Sequence, residues 1–271
     1  MSPQTFFATL WEDYLRLAPR AASISQLFAE DNPLIVNDHV AFRTFRQDGI
    51  RRAQLEPLLL ELGFQRQAPY DFPERHIRAW AYTPPEPGLP RIFFSELDVD
   101  GLSLPGQRIL HGLLRNLRLL ASPDQRIFWA GRLWPMPTWA EYQQLREESE
   151  FAAWLAAIGL HANHFTLAVH ALRPPLSLEA AITRVEAAGF AINPDGGRIK
   201  GSPEALLEQA STLAEFQPYT FAGGDTHEIP TGYYELARRY PDPTGHLYEG
   251  FIGASAAHLF TSTDHQGRSL R

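Results

Sequence analysis

Two segments of this chain follow one plan, and that recurrence limits what it can fold into. Asn37-Asp38-His39-Val40-Ala41-Phe42-Arg43-Thr44-Phe45 reads as a strand with alternating side chains, with Pro33 before it and Gly49 after it. A helix-spaced run follows over 51–62, with Leu55, Leu58, Leu59 and Leu62 inward, and Gly63 is its stop. His161 to His170 repeats the strand, residues 177–188 the helix, and Gly189 the stop. Extended runs follow the first helix over 64–70, 76–83 and 91–97. After the second helix they fall over 190–193, 198–201, 213–221, 233–240 and 246–252. The order β-α-β-β-β thus occurs twice, with a longer middle in the second copy. Each unit predicts a curved, open sheet backed by a helix. Two side by side predict an α+β fold, a cupped barrel lined by alternate strand residues.

The remaining segments complete a single domain over 1–271. Helices are expected in 1–32, with Phe6, Phe7, Leu10, Trp11 and Tyr14 at helical spacing before Pro19. The first module spans 37–100, a helical insertion 101–160, and the second module with a closing helix (254–261) spans 161–271. In the insertion, 109–120, 138–146 and 149–158 read as helices, and Thr138 with Glu141 has capping-box spacing. A net charge of −7 without a basic block argues against nucleic acid. The absence of cysteine removes disulfides, thiolate metal sites and thiol nucleophiles. No apolar run reaches membrane-spanning length, so no membrane partner and a cytoplasmic location are expected. Ten histidines direct attention to histidine and carboxylate chemistry.

Strand parity then selects residues. His39, Ala41 and Arg43 share one face, while Val40, Phe42 and Thr44 share the face expected to pack on helices. A histidine and an arginine on an inner face cost desolvation unless they are partnered. A metal for His39 and a ligand carboxylate for Arg43 would partner both; a hydrogen-bonded core histidine and a structural ion pair are the alternative. In the second module His164, Thr166 and Ala168 share a face, with His161 at the opposite parity. Glu249 alternates with Tyr248 and Gly250, and Glu96 stands on the last strand of the first module. His39, His164 and Glu249 would supply two imidazoles and a carboxylate with open positions, a set suited to non-haem Fe(II). Arg78, with His76, has the parity to reach a ligand, and Thr166 and Tyr233 are further substrate-binding candidates. His170, His227 and His246 are expected to be solvated or supporting residues.

Four segments carry a resemblance to a known family. Asn37-Asp38-His39-Val40-Ala41-Phe42-Arg43-Thr44, Ala162-Asn163-His164-Phe165-Thr166, Glu228-Ile229-Pro230-Thr231-Gly232-Tyr233-Tyr234-Glu235 and Tyr248-Glu249-Gly250-Phe251 resemble those of the 2-oxoadipate dioxygenase/decarboxylase (hydroxyglutarate synthase) family. The resemblance implies a fold similar to the vicinal-oxygen-chelate fold. It implies metal ligands at His39, His164 and Glu249, and a catalytic, substrate-binding arginine at Arg43. It also implies Fe(II) as cofactor, with a 2-oxo acid and dioxygen as partners. With 2-oxoadipate the products would be 2-hydroxyglutarate and CO2. Two other functions remain open on the residues alone. One is a non-oxidative metal-dependent lyase or isomerase on the same scaffold, and the other a non-catalytic carboxylate-binding protein. Oxygen uptake dependent on Fe(II) and a 2-oxo acid separates the first from the oxygenase; stoichiometric metal separates the second.

Overall fold

The structure, a computed structural model, describes residues 1–118 and 123–253. Helix α1 (Pro3–Leu17) starts at Ser2, whose hydroxyl accepts from the Thr5 N–H, with Pro3 placed where no helical donor is lost. It buries Phe6, Phe7, Leu10 and Tyr14, and α2 (Arg20–Ala29) follows, burying Ile24 and Phe28. Strand β1 (Asn37–Phe45) leads to α3 (Arg52–Leu60), then β2 (Gln65–Phe72), β3 (Ile77–Thr83) and β4 (Arg91–Leu97). Three helices come next: α4 (Leu104–Leu114), α5 (Trp139–Glu148) and α6 (Glu150–Ile158). The capping box forms as expected, Thr138 and Glu141 each accepting from the other's backbone N–H. Every residue of α6 from Phe151 to Ile158 is buried, which its Phe-Ala-Ala-Trp-Leu-Ala-Ala-Ile composition permits.

The second half runs β5 (Ala162–Ala168), α7 (Leu178–Ala187), β6 (Lys200–Ser202), β7 (Leu207–Ser211), β8 (Phe216–Thr220), β9 (Thr226–Pro230) and β10 (Tyr233–Arg239). Eight strands make one mixed sheet in the order β2-β3-β4-β1-β5-β10-β7-β6, and β8 and β9 form a separate hairpin. β1 lies parallel to β4, β5 lies parallel to β10, and β1 and β5 meet antiparallel at the centre. One face of β1 packs on the helices, where the Thr44 hydroxyl donates to the Ile50 carbonyl. The other face is concave toward the site.

The strand expectations for the second half need correcting. β7, Leu207-Glu208-Gln209-Ala210-Ser211, was not among them; its polar residues disguise a buried strand paired on both sides. The expected run over 213–221 is strand only at 216–220, and it belongs to the hairpin outside the main sheet. The expected final strand over 246–252 is absent: Leu247 makes a single bridge to Pro241 across the turn. Among the described residues the last strand of this half is therefore β10. Residues 245–251 instead form a strap that reaches Tyr70 on β2, whose hydroxyl accepts from the Phe251 N–H at 2.9 Å. The closing helix expected at 254–261, like residues 119–120, lies outside the described residues.

Candidate metal centre

Three side chains from the central strands converge on the concave face. His39 comes from β1, His164 from β5 and Glu235 from β10, with ligand atoms all within 4.8 Å of one another. The sheet register brings this about: Ala41 stands opposite His164, and Thr166 opposite both His39 and Glu235. His39 Nε2 lies 3.3 Å from Glu235 Oε2, and His164 Nε2 lies 3.3 Å from Glu235 Oε1. Both imidazoles thus aim the same nitrogen at one fully buried carboxylate. The Thr166 hydroxyl donates to Glu235 Oε2 at 3.3 Å and sits 3.0 Å from His39 Nε2.

Each histidine is oriented by the residue before it. His39 Nδ1 is 2.7 Å from Asp38 Oδ1, and His164 Nδ1 is 3.1 Å from Asn163 Oδ1. Strict alternation would turn residues 38 and 163 away from their histidines. The β1–β5 register shifts between Asn37 and His39 and again between Ala41 and Phe42, inserting Asp38 into one strand and Asn163 into the other. Such bulges re-aim side chains beside functional sites. An acceptor on Nδ1 fixes the ring and leaves Nε2 for a ligand.

The charges suit a cation. Burial pushes His164 down to about 3, a shift that Glu235 opposes and His39 and Arg43 reinforce, so its imidazole is neutral. Burial also opposes ionisation of Glu235, but His164 and His39 hold it below the usual carboxylate range. For His39, burial opposes the charge, and the Asp38 and Glu235 carboxylates outweigh it, raising the imidazole above its ordinary value. Glu235 Oε1 is buried and, among the described residues, accepts no hydrogen bond, a costly position for an ionised oxygen. A divalent ion bound by His39 Nε2, His164 Nε2 and Glu235 would satisfy that oxygen. Two neutral imidazoles and one carboxylate fit a first-row divalent metal with positions to spare.

The expected residues divide cleanly. His39 and His164 are brought together, with Thr166 between them and Tyr233 beside them, its ring 4.7 Å from that of His164. Arg43 lines the same cavity, donates to Glu150 Oε1 at 2.7 Å and lies over the rings of Phe151 and Trp154. Glu249 is not a corner of the cluster. Its side chain is 54% exposed and lies 3.6 Å from Arg91, because the strand expected to carry it does not form. Glu235 takes the third corner, at the parity of Tyr233 on a strand that was expected; counting 246–252 as the last strand hid it. Arg78 is also displaced from the site: it is 66% exposed and pairs with Asp71. Its register partner is Glu96, on the face opposite Phe93 and Ser95, so neither Arg78 nor Glu96 faces the cavity. Glu96 instead accepts the Arg52 N–H at 2.6 Å, at the start of α3. His161 bonds to Asp13, His170 accepts from the Arg239 N–H, His227 stacks on Trp139 and His246 bonds to Thr244.

A mixed sheet gathering two imidazoles and a carboxylate on its concave face makes a cluster able to hold a metal ion, the kind of site that metal-dependent enzymes use. The family model for 2-oxoadipate dioxygenase/decarboxylase matches this chain over residues 15–129 and 125–244. The chloroplastic/amyloplastic 2-oxoadipate dioxygenase/decarboxylase of Oryza sativa subsp. japonica is 33% identical over 292 residues, covering 99% of this chain and 80% of the rice protein. The crystal structure of hydroxyglutarate synthase from Oryza sativa in complex with 2-oxoadipate superposes with a TM-score of 0.85 at 32% identity, covering 97% of this chain and 93% of that one. A protein from Shewanella frigidimarina NCIMB 400, described provisionally as a hydrolase, superposes with a TM-score of 0.87 at 39% identity, covering 93% and 98%. The chain belongs to the 2-oxoadipate dioxygenase/decarboxylase family. Among the described residues no helix is long and apolar enough to cross a membrane.

Proposed function

We propose that this chain is an Fe(II)-dependent dioxygenase that converts 2-oxoadipate and dioxygen to 2-hydroxyglutarate and CO2. The observation that carries the reading is the Glu235 carboxylate, buried with one oxygen lacking a hydrogen bond and faced by two imidazole Nε2 atoms. The relatives' names supply the substrate class, and the rice structure's ligand is 2-oxoadipate. The reaction balances without an added reductant. Oxidative loss of C1 as CO2, which turns the keto carbon C2 into a carboxylate, and hydroxylation of C3 each release two electrons, and together they reduce one dioxygen, whose two oxygen atoms end in the new carboxylate and the hydroxyl.

His39, His164 and Glu235 would hold the metal. When bound, Fe(II) supplies an electrophilic centre for the 2-oxo acid and a site for dioxygen activation. Asp38 and Asn163 keep both rings turned so that Nε2 faces the centre. Arg43, two positions beyond Ala41 on the same strand face, presents a guanidinium to the cavity and anchors a substrate carboxylate, fixing the chain and offsetting its charge. Thr166 and Tyr233 border the same space and shape the approach to it. Ala41, Phe93 and Phe251 keep the lining apolar, which strengthens the charge interactions within.

The test is anaerobic loading with Fe(II) followed by oxygen-electrode assays across 2-oxo acids of increasing length. The expected result is one dioxygen consumed per CO2 released, greatest with 2-oxoadipate. Arg43→Ala should raise KM more than it lowers kcat. Stoichiometric metal without oxygen uptake on any 2-oxo acid would instead indicate a non-oxidative metal enzyme.

A further inference from the structure

Arg239 stands at the end of β10, four residues after Glu235 and on the same face. Its side chain is fully buried, and both edges of the guanidinium are used. Nε donates to Asp38 Oδ2 at 2.7 Å and Nη2 to Asp38 Oδ1 at 2.9 Å, a bidentate fork on the carboxylate that also holds His39. Nη1 donates to the Tyr248 carbonyl at 3.0 Å and the Gly250 carbonyl at 2.6 Å. These carbonyls belong to the strap, where the Tyr248 hydroxyl lies close over Gly250. The next residue is Phe251. Its ring lies edge-on to His39 at 4.9 Å, 4.9 Å from Phe93 and 5.1 Å from the Arg239 guanidinium. The circuit from His39 through Asp38, Arg239 and the strap closes back on His39.

We propose that Arg239 is a positioning residue that couples the roof of the site to its metal-binding edge, holding Asp38 behind His39 with one side of its guanidinium and Phe251 over His39 with the other. The cavity under that roof measures about 20 Å³, water-sized and far smaller than a six-carbon acid. A substrate of that size enters only if the lining opens; Phe251 is part of that lining, and the strap that carries it is tied to the residue that aims His39. Metal binding, by fixing His39 and Asp38, steadies the roof from the opposite end. The inference rests on the reading that His39, His164 and Glu235 hold a metal.

The experiment uses the full chain, metal-free and loaded with Co(II). It follows Co(II) affinity by chelator competition and backbone deuterium exchange across 247–252. In the unaltered protein, Co(II) is expected to slow exchange in the strap. Arg239→Lys keeps the positive charge but cannot fork across four acceptors; it should lose that metal-dependent protection and bind Co(II) about tenfold more weakly or worse. Phe251→Ala, which removes the roof and leaves the fork on Asp38, should lose the metal-dependent protection of the strap while weakening Co(II) binding less than Arg239→Lys does. Asp38→Asn cuts the circuit at the other end and should also lose the protection, so the inference remains testable if Arg239→Lys does not fold. A purely structural Arg239 would lower thermal stability and leave metal-dependent protection intact; that result overturns the coupling. Co(II) bound stoichiometrically with strap exchange unchanged also overturns the coupling alone. Failure to take up any Co(II) overturns the metal reading and this inference with it.

Discussion

The two histidine strands use the same device with different chemistry. On β1 a bulge places Asp38 against Nδ1 of His39, and on β5 a bulge places Asn163 against Nδ1 of His164. Both orient a ring, but only the first adds charge. Asp38 is held well below the usual carboxylate range by Arg239 and His39, although burial opposes it, and with Glu235 it raises His39. His164 has a neutral amide behind it, and burial carries it down to about 3. One imidazole thus holds its proton more tightly than usual and is the stronger donor once free of it, and the other is a ready donor at neutral pH. The difference shows that bulge geometry and the charge behind the ring are separate controls. The acidic partner is also the one joined to the rest of the molecule, through Arg239.

The largest effect is expected where the two strands share a ligand. Glu235→Gln keeps the volume and removes the charge that both rings face, so metal content by elemental analysis and turnover should both fall to background. Asp38→Asn makes the β1 corner resemble the β5 corner, and metal affinity by chelator competition should drop about 10–100-fold. Asn163→Ala, which removes only a neutral acceptor, should fall at or below the low end of that range. A larger loss from Asn163→Ala than from Asp38→Asn would break the comparison.

The pH dependence follows from the sign of each shift. The raised His39 contributes stability to the metal-free protein in full below about pH 6.5, and that contribution is lost as pH rises through its folded value. The lowered His164 acts in the opposite sense: its contribution is full above about 6.5 and is lost as pH falls toward 3. Metal competes with the proton on His39, so affinity should climb with pH until that proton has left. Asp38→Asn should move the climb to lower pH, as measured by metal titrations at fixed ionic strength. The smallest effect is expected from Glu249→Gln, since that exposed side chain lies outside the cluster, beside Arg91. Metal stoichiometry should not change.

Much of this was legible in the residues. Alternation placed His39, Ala41 and Arg43 on one face, and the positions of Gly63 and Gly189 marked two helices in equivalent places. Local signals of this kind survive folding because strand period and helix stops are properties of the backbone. Glu249 was misplaced because β7 is too polar to look like a paired strand, so the count of strands slipped to 246–252. The parity of Tyr233 and Glu235 pointed to the right corner, but parity cannot say which strand ends beside which. Arg78 failed for a related reason: parity is relative, and only its pairing with Glu96 showed which face it shares.

The sequence by itself determined the chemistry available: histidines and carboxylates without thiols, an arginine in phase with His39, and four segments resembling one family. Tertiary structure alone decided which carboxylate completes the cluster, because β10 joins β5 only through pairing between residues far apart in the chain. It alone revealed Asp38 and Asn163 as the groups behind the rings, since a bulge depends on the partner strand's register and leaves no mark on either strand's own alternation. It also brought Arg239 to Asp38, 201 residues away, where burial makes the pair's geometry matter.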